Sequence, residues 1–163
     1  MATDEATLYA GDSLDGRRWI VGAGGGVIGA LLFGALTTFA LPEAALVTSI
    51  SAVYGSTGPG PVAAWGLHLF HGAVLGLVFA AAVQHRRIGS HTYKYWNSLG
   101  LGTAFGAVIT VGVVGLAAAL TLSDVLGGSF GFVMTPSGFA AVTIGHLAFG
   151  ITLSLLHTVY VRG

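Results

Sequence analysis

The sequence predicts an all-α membrane protein, a bundle of four transmembrane helices. Of its 163 residues, 54% are hydrophobic and only 7% are charged, whereas roughly a quarter of residues are charged in soluble domains. Four apolar runs without any Asp, Glu, Lys or Arg each exceed the roughly 20 residues that a helix needs to cross a bilayer; they cover 19–40, 61–83, 98–122 and 138–161.

The cations indicate the orientation of these helices. All six Lys and Arg residues lie on the same side of the apolar runs: Arg17, Arg18, Arg86, Arg87, Lys94 and Arg162. Since positive residues remain on the cytoplasmic side, this pattern predicts a multi-pass plasma-membrane protein with both termini in the cytoplasm.

The segment 1–16 precedes the first basic pair and carries Asp4, Glu5, Asp12 and Asp15. We interpret it as a flexible, acidic cytoplasmic tail. Because it lacks the basic start of a signal peptide, the first span is expected to be retained. Residues 17–163 then form one transmembrane domain.

The outer connections each predict a short helix that is interfacial or re-entrant. In the first, Pro42 suits an early helical position, and Leu46, Ile50 and Tyr54 recur at helical spacing. The second runs from Thr121 to the break at Pro136.

Both halves therefore have the same predicted order of a long, a short and a long helix, which indicates two similar helical hairpins. Sliding the first half by 78 residues supports an internal repeat. This shift places His68 on His146, Gly72 on Gly150, Gly22 on Gly100, Gly24 on Gly102 and Gly34 on Gly112.

Glycines recur in the spans at the small-xxx-small spacing that lets helix backbones approach closely in lipid. The predicted packing residues are Gly22, Gly26, Gly29, Gly72, Gly76, Gly102, Gly106 and Gly150. As an alternative, glycines on the first and third spans leave room for a flat ligand.

Histidines are the strongly polar groups inside the apolar runs, where their ring nitrogens need partners. His68 and His71 share a face of the second span, and His146 lies at a depth similar to that of His68. Three interpretations remain open: hydrogen bonds to backbone carbonyls, Thr143, Thr110 or Ser154; axial ligation of one haem b by His68 and His146; and a polar path for a proton, ion or small solute.

Other chemistry is not favoured. The formal net charge is zero and no basic cluster exists for nucleic acid. Without Cys, the chain has no thiolate ligand or nucleophile. No paired carboxylates or Ser-His-Asp set lie at one depth, and we expect neither a metal site nor an enzyme.

The stretch Trp65-Gly-Leu-His-Leu-Phe-His-Gly72, together with the acidic tail and the Gly-rich first and third spans, resembles small four-helix membrane proteins of halophilic archaea. Such proteins often carry the automatic label "histidine kinase". The resemblance implies a four-helix membrane fold and no transferable activity. We predict no kinase activity, because the inner loop 84–97 is too short to hold an ATP-binding domain.

The sequence thus favours a non-catalytic accessory or scaffolding subunit that acts without a cofactor. Its expected partners are membrane lipid and either a second copy of the chain or a larger membrane complex. The alternatives are a small b-type cytochrome and a passive channel or small-solute transporter.

Overall fold

The computed structural model describes residues 16–41, 45–54, 60–123 and 130–162, and 94% of these residues are helical, with no strand among them. The predicted all-α chain with four helices long and apolar enough to span a membrane is confirmed. In chain order the helices are α1 (Gly16–Ala40), α2 (Ala45–Tyr54), α3 (Pro61–Val83), the single turn α4 (Arg86–Gly89), α5 (Tyr95–Leu122) and α6 (Pro136–Arg162). The predicted acidic tail lies outside the described residues, except that Gly16 begins α1.

Proline sets the start of α3 and of α6. Pro61 follows the non-helical Gly60, and its missing N–H costs nothing in a first turn. At α6, the Oγ1 of Thr135 accepts the N–H of Gly138 at 3.1 Å, which caps the helix beginning at Pro136.

The connections between the long helices are described in part. In the second outer connection, where a short helix was predicted, the described part contains the 3-10 turn Gly131–Met134, and residues 124–129 lie outside the described residues. Gly131 and Pro136 lie five residues apart, and both residue types oppose a continuing helix. The inner loop forms α4 and a 3-10 turn, Ser90–Tyr93, which were not predicted. The predicted start of α2 near Pro42 lies outside the described residues.

The long helices pack in the order α3, α1, α6, α5. Helices α1 and α6 lie side by side, α3 packs on α1, and α5 packs on α6. The backbones of α3 and α5 lie farther apart than those of the neighbouring pairs, and in the half of the bundle nearer α4 the Phe79 and Phe105 rings meet between them with centroids 5.2 Å apart.

The start of α1 and the end of α6 meet at the same end of the bundle. The Arg17 guanidinium carbon lies 5.9 Å from the ring centroid of Tyr160. We call this the α4 end, because α4 joins α3 to α5 there, and we call the opposite end the α2 end. Toward the α4 end the interior is filled by a core that includes Phe79, Phe149 and Leu153.

Candidate functional site

A cavity of about 470 Å³ lies between α3 and α5 in the half of the bundle near the α2 end. Helices α1 and α6 form its floor, while α2 and the 3-10 turn Gly131–Met134 flank it. Its lining is apolar apart from the side chains of His68, His71, His146, Thr37 and Ser49. Because the Thr37 hydroxyl donates to carbonyls of its own helix, most of the polar groups that a ligand in the cavity could contact belong to the three imidazoles.

The predicted pair His68 and His146 meets at one place in the bundle but not in direct contact. The Phe33 ring from α1 lies between them, with its centroid 5.3 Å from the His68 ring and 4.7 Å from the His146 ring. The plane of the Phe33 ring makes angles of 33° with the His68 ring and 24° with the His146 ring. The sequence spacing placed the histidines at similar depth but carried no signal for the intervening phenylalanine.

The hydrogen bonds of the two rings differ. The Nε2–H of His68 donates to the Ala30 carbonyl on α1 at 2.9 Å, which links α3 to α1. Nδ1 of His146 is buried and forms no well-aligned hydrogen bond. The Val142 carbonyl, one turn earlier in α6, interacts with the ring. Of the partners considered from sequence, Thr110 instead bonds the Gly106 carbonyl of its own helix.

His71 points away from this pair, toward α2. Its Nε2 lies 2.6 Å from the Tyr54 hydroxyl oxygen, and the two rings stack with centroids 5.7 Å apart. His68 and His71, one turn apart, therefore tie α3 to two different helices.

The residues present do not fit a bis-histidine haem. Axial ligation requires a ring nitrogen of each histidine to face the iron from opposite sides of the porphyrin. Here Phe33 fills the space between the imidazoles, and His68 Nε2 is already bonded to the Ala30 carbonyl. A porphyrin would have to displace both the ring and the bond.

A second polar cluster, which the sequence analysis did not identify as a site, lies toward the α4 end. The Ser98 and Ser154 hydroxyl oxygens are 2.7 Å apart across α5 and α6, and the Thr158 hydroxyl donates to Ser98 Oγ. All three side chains are fully buried. The i, i+4 spacing of Ser154 and Thr158 in an apolar run is the signal that would have indicated it.

His157 lies one residue before Thr158 and is 3% exposed. Neither of its ring nitrogens has a hydrogen-bond partner, and its ring contacts Phe79 edge to face at 6.0 Å. Its place near the end of α6 would allow an accessible side chain, but packing between the helices buries it.

Each predicted packing glycine lies at a helix crossing. A Cβ on Gly26 would meet the Gly72 carbonyl oxygen, and one on Gly102 would meet the Gly150 carbonyl oxygen. The same close approach to a facing helix occurs at Gly22, Gly29, Gly72, Gly76, Gly106 and Gly150. The glycines thus bring α1 against α3 and α6, and α5 against α6.

Helix α5 carries a second, unpartnered face. Gly100, Ala104, Ala107, Val111 and Gly115, which we call the α5 seam, are all exposed and follow one another at helical spacing. A Cβ on Gly100 or Gly115 would meet nothing within 4 Å. Helix α5 is also the least buried span, at 17%, and has the highest mean hydropathy, 2.2.

Fold and site together define a helical protein with four helices able to cross a membrane and an apolar cavity lined by imidazoles. In the part of the chain that the structure describes, no group of three or more His, Cys, Asp or Glu residues lies close enough to hold a metal ion. Comparison with protein-family models, curated proteins and solved structures found no match.

Proposed function

We propose that this protein is a non-catalytic integral membrane protein that acts as an accessory or scaffolding subunit and associates through the α5 seam. Its partner is a second copy of the chain or a transmembrane helix of a larger membrane complex. Both termini are proposed to lie in the cytoplasm, and the cavity half of the bundle toward the outer surface.

The α5 seam is the observation that carries this proposal. Association of helices in lipid depends on close backbone approach through small residues, and every glycine that packs inside this bundle meets a facing helix. Gly100 and Ala104 on the seam have the small-xxx-small spacing, and neither Gly100 nor Gly115 has a facing helix in the described part of the chain. A neighbouring helix would supply the missing contact.

The proposed orientation rests on the distribution of charge. The basic residues lie at the α4 end of the bundle. Arg17 is near the start of α1, Arg162 ends α6, and the connection between α3 and α5 contains Arg86, Arg87 and Lys94. The positive-inside rule assigns that end to the cytoplasm. A reporter fused after Arg162 is expected to be cytoplasmic, and an extracellular reporter would refute the orientation.

The proposal of two similar hairpins is supported by their helix crossings, with a different alignment from the uniform shift of 78. Gly26 faces Gly72, and Gly102 faces Gly150. The second helices of the two hairpins, α3 and α6, therefore correspond with a shift of 78 residues, whereas the first helices, α1 and α5, correspond with a shift of 76 residues. A shift of 78 would instead match the exposed Gly24 with the buried Gly102.

A channel and a cytochrome receive less support. Phe79, Phe149 and Leu153 are at most 3% exposed and fill the bundle between the cavity and the α4 end, which opposes a path across it. Phe33 occupies the space that a haem would need.

Association can be tested with leucine substitutions on the seam. The double variant Ala104→Leu/Gly115→Leu keeps the face apolar but separates the backbones, and we expect at least a tenfold weaker association, equivalent to about 1.4 kcal/mol. The measurement is subunit stoichiometry by single-molecule photobleaching in liposomes, with native mass spectrometry in mild detergent to identify any partner.

The matched control is Gly24→Leu, which adds the same side chain to an exposed position of α1 where a Cβ meets nothing within 4 Å. It should associate like the original protein. A chain that is monomeric and partner-free before substitution, or equal association of all variants, would refute the proposed role.

A further inference from the structure

The cavity between α3 and α5 contains an imidazole whose hydrogen bonding is incomplete. His146 is 9% exposed, its ring lines the cavity, and its Nδ1 is buried without a well-formed hydrogen bond. Nδ1 lies next to the Val142 carbonyl and is inaccessible, whereas Nε2 is not among the buried atoms and is the ring nitrogen that a ligand in the cavity can reach. An imidazole nitrogen that lines an apolar cavity without a protein partner calls for an explanation, such as a bound group. The chemistry of the surrounding wall indicates which group fits.

The hydrogen bond of His68 determines what the wall offers. Because its Nε2–H donates to the Ala30 carbonyl, Nδ1 of the neutral ring carries no proton and is an acceptor. A neutral His146 ring has one N–H donor and one acceptor. The cavity thus presents both donors and acceptors to an uncharged ligand, whereas no charged side chain is among its described lining residues.

The remaining wall is suited to a flat ring with an apolar tail. Phe33, Phe130, Phe132 and Phe149 line the cavity, and aromatic faces and edges of this kind favour stacked or edge-on conjugated rings. At the opening between α3 and α5, Val74 and Leu116 are 40% and 59% exposed. If the bundle spans the membrane as proposed above, this opening faces hydrocarbon, and a tail can extend into it.

We propose that the cavity binds a membrane quinone or quinol, with a ring oxygen hydrogen-bonded at His146 and the isoprenoid tail leaving past Val74 and Leu116. The volume of about 470 Å³ lies within the roughly 300–1,000 Å³ of small-molecule sites. A saturated acyl chain would form no hydrogen bond with the His146 ring, and a charged head group would find no counter-charge among the described lining residues. The proposal concerns binding and includes no electron transfer.

Trp65 provides a local reporter for this binding. Its ring stands edge to face with His68 at 5.8 Å, and the other tryptophans are Trp19 and Trp96, at the opposite end of the bundle. In a Trp19→Phe/Trp96→Phe background reconstituted in nanodiscs, titration with a short-tailed decylbenzoquinone should quench Trp65 fluorescence saturably. Solvent extraction of protein purified from its native membrane should release a stoichiometric quinone.

Two variants test the site and one controls for non-specific effects. His146→Phe keeps an aromatic ring against Phe33 and removes the ring nitrogens, whereas Val113→Phe fills the cavity. Each should raise the apparent Kd at least tenfold. His157→Phe removes a buried imidazole from the same helix, outside the cavity lining, and should leave the Kd unchanged.

Other outcomes would overturn the proposal. Non-saturable quenching that is equal in all variants would mean partition into the bilayer only. Saturable quenching by a brominated phospholipid that quinone does not displace would assign the cavity to an acyl chain. If His146→Phe fails to give a monodisperse protein, Val113→Phe and the extraction still decide. The seam variant Ala104→Leu/Gly115→Leu should bind quinone normally, so the two proposals can fail separately.

Discussion

Replacing Gly26 with alanine tests whether close backbone contact between α1 and α3 holds the bundle together. The added Cβ would meet the Gly72 carbonyl oxygen and lie 2.9 Å from the Gly72 carbonyl carbon and 3.0 Å from the Gly76 Cα. All of these neighbours are backbone atoms, so no side chain can rotate away. The two helices must therefore separate locally.

The magnitude follows from opposing effects. Overpacking of this kind costs about 1–3 kcal/mol, and backbone obstruction places Gly26→Ala near the upper end. Separation also weakens the bond from His68 to Ala30, one turn along α1, by about 0.6 kcal/mol. Alanine restores about 1 kcal/mol of helix preference. We expect a net destabilisation of about 2 kcal/mol.

Gly24→Ala is the matched control. Gly24 lies two residues before Gly26 in the same helix, but on its exposed side, where an added Cβ meets nothing within 4 Å. This substitution should leave the free energy of unfolding unchanged or raise it by up to about 1 kcal/mol. Both variants are measured by reversible denaturant unfolding in mixed micelles. Equal effects, or a more stable Gly26→Ala protein, would refute the crossing.

The remaining predictions concern buried polar groups. Ser98→Ala removes hydroxyl bonds to Ser154 and Thr158 and should lower the free energy of unfolding by about 1 kcal/mol in the same assay. The control Thr103→Ala, on the exposed side of α5, should change the free energy of unfolding by less than about 0.5 kcal/mol. His157→Leu should raise stability by about 1 kcal/mol, because it removes buried nitrogens without partners and adds no larger ring to the packed interior; a loss of stability would contradict this prediction. Protein expressed with added haem should be colourless, whereas a Soret band that disappears in His68→Ala would contradict the fit argument.

Much of the secondary structure could be predicted from the sequence because the membrane imposes simple constraints. A helix must be long enough to cross the hydrocarbon, and unpaired charges are excluded from it. The spans at 61–83 and 98–122 accordingly lie within α3 and α5. The second outer connection was less predictable, since a stretch of glycines and a proline does not select one short conformation.

The packing glycines could also be identified, but their pairing could not. Spacing marks a small-residue face and does not state which helix covers it. Gly102 faces α6, whereas Gly100 faces no helix of the described chain, although only Leu101 separates the two glycines. The shift of 76 between the first helices likewise depends on how each hairpin crosses.

The candidate site shows the same division. Helical periodicity places His68 and His146 at comparable depth, because depth depends only on rise along each helix. Phe33 between them, Tyr54 against His71 and the burial of His157 depend on contacts between segments far apart in the chain.

The sequence alone therefore determined the class of structure, the number of apolar helices and the positions able to pack closely. These properties follow from local composition and from the solvent that each segment can tolerate. Only the tertiary structure decided the helix order α3, α1, α6, α5 and the opening between α3 and α5. In lipid, helices that are apolar on all sides have no hydrophobic face to orient them, so the choice of neighbours depends on shape complementarity among distant residues.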